Sequence, residues 1–106
     1  MEIILTHKHF EQSHLEEVKN TMTTMGAPKI KAIWSEIYGA WLAVEGCHRI
    51  RAAKELNLIP EIIDISEDET VIMQIDGEDE EVNVSDLLEE LTENAPKTDY
   101  ISFEEE

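Results

Sequence analysis

A single cysteine stands in the 106 residues of this chain, so no internal disulfide can form. A chain this short without a disulfide framework fits a reducing compartment, and the cytoplasm is the expected location. Long apolar runs are missing as well: no window approaches the roughly 18 to 20 consecutive apolar residues of a membrane span. The opening MEIILTHKHF has neither the basic start nor the long apolar stretch of a signal peptide. The expectation is a soluble protein with no membrane contact.

Basic side chains are scarce too. Eight Lys and Arg stand against 25 Asp and Glu, a formal net charge of -17. Residues 1–65 hold nine acidic and seven basic side chains, whereas residues 66–106 hold sixteen acidic residues and Lys97 alone. An acidic field of that size opposes a polyanion, so direct nucleic-acid binding is not expected. A small anion differs, because a few backbone N–H groups and one or two arginines can hold it locally.

The 42% hydrophobic content suffices for one small core. EIILTHKHF reads as a short strand running into a polar loop. Ser13 is placed to cap a helix, with Glu16 completing a capping box and Leu15, Val18, Met22 and Met25 at helical spacing up to Gly26. KIKAIW alternates as a half-buried strand, SEIYG as a turn and AWLAVE as its antiparallel partner. Trp34, Trp41 and Tyr38 lie in or between these strands and are expected to pack the hairpin. Gly46 follows, then a helix from about His48 to Leu56 and the strand IPEIIDI.

These elements predict an α+β domain over residues 1–65, a mixed sheet with packed helices. Residues 66–106 read as an acidic C-terminal extension. In it, TVIMQID and EEVNV flank GEDE as a hairpin, Ser85 caps DLLEELTEN, and APKTDYISFEEE trails off unless Tyr100, Ile101 and Phe103 dock. Its charge suits a basic protein partner, and a non-catalytic interaction module is one reading of the chain.

The chemistry concentrates in WLAVEGCHRIRAA. A strand leads through Gly46 straight into a helix, whose first turn has free N–H groups and a partial positive charge. Gly46 lets an anion approach the backbone, because no Cβ intervenes. Arg49 and Arg51 follow, but two residues apart they point about 200° apart around a helix, and Arg49 is the better placed for a bound anion. Cys47 at that position would have its thiolate favoured by the helix dipole, although free cysteines are commonly buried and inert. His7 and His9 share one side of a strand, but without further ligands at metal-site spacing no metal is expected.

EGCHRIRAAKELNLIPEIID, together with the order of elements before it, resembles the second signature box of the ParB/sulfiredoxin superfamily. GCHR looks like the sulfiredoxin active-site motif, and RIRAAKELNLIPEII is closer to the ParB side. The resemblance implies that Gly46, Cys47, His48 and Arg49, with Arg51 nearby, cradle the phosphates of ATP or CTP with Mg²⁺, and that hydrolysis or phosphoryl transfer follows. On the sulfiredoxin side it implies that Cys47 is the catalytic nucleophile of a cysteine sulfinic acid reductase. The first box of ParB-like proteins is absent, the matching region reading THKHFEQSHLEE, and no helix-turn-helix follows.

Overall fold

Apolar residues that alternate along the strands feed two different cores. The computed structural model describes residues 1–104, and its central sheet has five strands in the order β4-β2-β3-β1-β7. These strands are β1 (Glu2–Ile4), β2 (Lys29–Ser35), β3 (Ala40–Ala43), β4 (Glu61–Asp64) and β7 (Tyr100–Ser102). Ile3, Ile30 and Ala43 join one core with Leu15 and Met22 of α1 (Gln12–Met25) and with Ile50, Ala52 and Ala53 of α2 (Cys47–Glu55). Their neighbours Ile4, Ile33, Leu42 and Val44 join the other core, with Val84, Leu87 and Leu91 of α3 (Val84–Asn94). Successive side chains of a strand point to opposite faces, so the sheet is covered on both sides and β3 (AWLA), at its centre, is apolar throughout.

The pairing is mixed. β2 and β3 form the expected antiparallel hairpin, β1 runs parallel to β3, and β4 runs parallel to β2. Trp34 lies directly opposite Trp41 in the hairpin, and their rings meet edge to face at 5.1 Å. Trp34 remains 42% exposed, although Ile30 on the same face is fully buried. A second sheet consists of β5 (Thr70–Ile75) and β6 (Glu78–Asn83), antiparallel and joined at Asp76 and Gly77. Both turn residues have positive φ, 52° and 81°, as a two-residue hairpin turn with matching twist requires. The turn is therefore DG, and the expected GEDE loop instead begins β6.

Three helix boundaries differ from expectation. α1 starts at Gln12 with Glu11 as its N-cap and no side-chain cap, so Ser13 lies inside the helix and the capping box does not form. α2 begins one residue early, at Cys47. At α3 the cap is Asn83, whose side-chain oxygen accepts the N–H groups of Ser85 and Asp86.

The expected boundary at residue 65 is also corrected. β7 pairs antiparallel with β1, Leu5 N–H donates to the Asp99 carbonyl, and Phe103 is 5% exposed in the same core as α1 and α2. α3 supplies much of the second core. The C-terminal segment is thus built into the α+β unit, because without it one sheet face and the edge of β1 would meet water. Glu105 and Glu106, the end of the expected trailing tail, lie outside the described residues. No helix among the described residues is long and apolar enough to cross a membrane.

Candidate functional site

β3 ends at Ala43, and Val44 and Glu45 lead into Gly46, the N-cap of α2. Gly46 sits in the left-handed region at φ 84° and ψ 28°. A Cβ there would come within 3.0 Å of Ile30 Cδ1 and 3.1 Å of Arg49 Nη2, so glycine serves both the turn and the close approach of Arg49. The first backbone bond of the helix runs from Ile50 N–H to the Gly46 carbonyl, and no side chain caps the end. The N–H groups of Cys47, His48 and Arg49 precede that bond and point out of the helix end.

In front of this turn is a cleft of about 540 Å³ whose lining includes Thr6, His7, His14, Glu45, Gly46, His48 and Arg49, with Met73 and Gln74 of β5 on its far side. Beside it runs a groove of about 490 Å³ floored by Val18, Met22, Met25, Ala27 and Pro28. His14, Val18 and Arg49 line both, so the two adjoin.

Arg49 folds back over its own turn. Its Nη1 donates to the Lys29 carbonyl at 3.1 Å and its Nη2 lies 3.8 Å from Glu45 Oε1, which holds the guanidinium between cleft and groove. Arg51 goes elsewhere, as the angle between the two arginines predicts. It bonds Asp99 Oδ2 at 2.7 Å and the Lys8 carbonyl at 3.3 Å and lies over the Phe10 ring. That hydrogen bond holds the Asp99 carboxyl below its usual range. Arg51 therefore ties the His-rich loop to the strand end before β7 and does not line the cleft.

His48 accepts the backbone N–H of Glu11 on Nε2 at 3.1 Å, and its ring meets His14 edge to face at 4.5 Å. Its pKa is lowered, chiefly by burial and then by the positive charge that His14 and His7 would carry, with Glu11 opposing and His9 adding slightly. Three of the histidines, His7, His14 and His48, thus line the cleft at this turn, in a protein otherwise dominated by acid. Among the described residues no group of three or more His, Cys, Asp or Glu is arranged to hold a metal ion.

Cys47 is 4% exposed, with Sγ 3.0 Å from Thr6 Oγ1 and the rest packed in the first core. Of the residues expected at the site, Gly46, Cys47, His48 and Arg49 come together and Arg51 does not. Thr6, Glu45, Met73 and Gln74 join them at the cleft without a sequence expectation for any of the four. The repeated histidines of THKHFEQSH were the one available signal, and nothing local marks Met73 or Gln74. Comparison of the chain with models of protein families, with curated proteins and with solved structures found no match to any of them.

Proposed function

We propose that the Gly46 turn binds the phosphate group of a nucleotide, ATP or CTP, or of another small phosphorylated molecule. The observation that carries this reading is the uncapped start of α2, opening onto a cleft walled by histidines and a positioned arginine. Backbone N–H groups of Cys47, His48 and Arg49 would donate to phosphate oxygens, and the Arg49 guanidinium would add a charge-assisted bond. The adjoining groove, floored by Val18, Met22, Met25 and Pro28, would take the ligand's less polar part, which favours a nucleotide over free phosphate. The ParB/sulfiredoxin resemblance of GCHR and its surroundings adds to the same reading.

Mg²⁺ accompanying a triphosphate would take most of its ligands from phosphate oxygens and water, with Glu45 the carboxylate that lines the cleft. Binding is the function that the geometry supports best, and hydrolysis or phosphoryl transfer would be built upon it. Sulfinic acid reduction by Cys47 has less support, because its sulfur is buried against Thr6 and a nucleophile must reach its substrate. A free cysteine without a disulfide partner fits a cytoplasmic setting.

The test is a thermal-shift series with ATP, CTP and inorganic phosphate, with and without Mg²⁺, on the wild type and Arg49→Ala. A ligand present at 100 times its Kd stabilises the fold by about 2.7 kcal/mol, enough for a clear rise in Tm. The rise is expected for a nucleotide on the wild type and should vanish in Arg49→Ala. No shift with any of these ligands would overturn the reading.

A further inference from the structure

The ribbon of β5 and β6 presents an unpaired strand edge whose chemistry specifies what can pair with it. No third strand joins this sheet among the described residues. Val84 N–H donates to the Glu69 carbonyl at 2.9 Å, in register with the pairs that follow it along the ribbon. Hydrogen-bonded and non-hydrogen-bonded pairs alternate in an antiparallel ladder. Val71–Val82, Met73–Glu80 and Ile75–Glu78 are therefore the bonded pairs, and Asp79 and Glu81 turn their N–H and C=O away from β5. β5 has Met73 and Gln74 against the cleft described above, so β6 is the outer strand.

Two features of this edge narrow its occupant. Ile72, directly opposite Glu81, is 49% exposed and Ile75, opposite Glu78, is 40% exposed, so the ribbon offers aliphatic surface on both faces. Residues 66–83 contain eight acidic side chains and no basic one, with Glu78 to Glu81 consecutive. Side chains alternate between faces, so this run places carboxylates on both sides of the edge. A second copy of the chain pairing there would set acid opposite acid, which is unfavourable. An incoming strand with consecutive Lys or Arg would instead meet a carboxylate at each position, with its backbone bonded to Asp79 and Glu81.

We propose that the open edge of β6 docks an extended, Lys- or Arg-rich segment of another protein as a third strand of the ribbon. The surface is separate from the Gly46 turn, and the proposal stands whether or not a nucleotide binds there. A segment docked in this way pairs main chain with main chain for affinity and side chain with side chain for selectivity.

The experiment is fluorescence anisotropy with a labelled peptide, Thr-Val-Lys-Arg-Lys-Arg-Val-Thr, and two variants of it in which the second Lys is replaced by Gln or by Pro. The full chain is used as wild type, Glu81→Gln and Glu81→Pro, with folding checked by circular dichroism. Both substitutions remove one charge, but only Glu81→Pro removes an outward N–H, at a position that leaves the ladder with β5 intact. Loss of one edge hydrogen bond should weaken Glu81→Pro about fivefold relative to Glu81→Gln, and the proline peptide should bind wild type more weakly than the glutamine peptide, which has the same charge, by a similar factor. Equal binding of the glutamine and proline peptides to the wild type would reduce the effect to charge attraction and overturn the proposal, as would no binding at low salt. The peptide comparison uses the wild type alone, so it decides the question even if Glu81→Pro fails to fold.

Discussion

His48 Nε2 accepts the backbone N–H of Glu11, the residue that caps α1, across 3.1 Å. A histidine can accept there only while that nitrogen is unprotonated, so its proton sits on Nδ1 and the ring is neutral. The bond ties the start of one helix to the first turn of the next. Stability is thereby coupled to the protonation of one ring.

The pKa of His48 is lowered in the folded state, chiefly by burial and then by His14 and His7. A group with a depressed folded pKa favours the fold in its deprotonated form. For His48 that contribution is complete above its unfolded pKa of about 6.5 and is lost as pH falls from there through the folded value. The Tm of the wild type should therefore drop between pH 7 and pH 5 more than that of His48→Gln, whose amide oxygen can accept the same bond without titrating. Superimposable pH profiles for the two proteins would remove His48 from the account.

Gly46→Ala tests the turn. The residue would be forced to a positive φ of 84°, and its Cβ would press on Ile30 Cδ1 and the Arg49 guanidinium. A destabilisation of about 1 to 3 kcal/mol is expected, from backbone strain together with the displaced neighbours. Chemical denaturation would measure it, and an unchanged midpoint would show that the turn relaxes freely.

Cys47 should behave as a core residue. With the residue 4% exposed and its sulfur against Thr6 Oγ1, alkylation by iodoacetamide should be slow in native buffer and fast in guanidinium. Rapid, stoichiometric labelling of the folded protein would reopen the nucleophile reading for this residue.

Deleting residues 66–106 should leave a chain that does not fold. The cut uncovers Ile4, Ile33 and Leu42 by removing α3, and unpairs β1 from β7. The single substitution Leu91→Ala, within that core, should cost about 2 to 5 kcal/mol. A dispersed amide spectrum from residues 1–65 alone would contradict this dependence.

Much of the architecture was legible because it rests on local rules. The period of KIKAIW and AWLAVE marked the hairpin, Gly26 marked the end of α1, and Gly46 marked the passage from strand to helix. Helix geometry alone separated Arg49, which lines the cleft at the start of α2, from Arg51, which does not. The capping box failed because the N-cap of α1 lies two residues before the place the local pattern gave it, at Glu11, whose N–H is taken by His48. Thr6, Met73 and Gln74 had no local mark, since a strand's pairing partner and a cleft's far wall are not encoded near either.

By itself, the sequence determined the partition of charge between residues 1–65 and 66–106, the α+β character and the glycine turn. Each follows from composition or from a period shorter than one helix turn. Only the tertiary structure decided that Tyr100–Ser102 closes the sheet beside Glu2–Ile4, that His7, His14 and His48 meet at one cleft, and that Arg51 turns away to Asp99. Those outcomes depend on contacts between residues far apart in the chain, and burial of the two sheet faces selects among them.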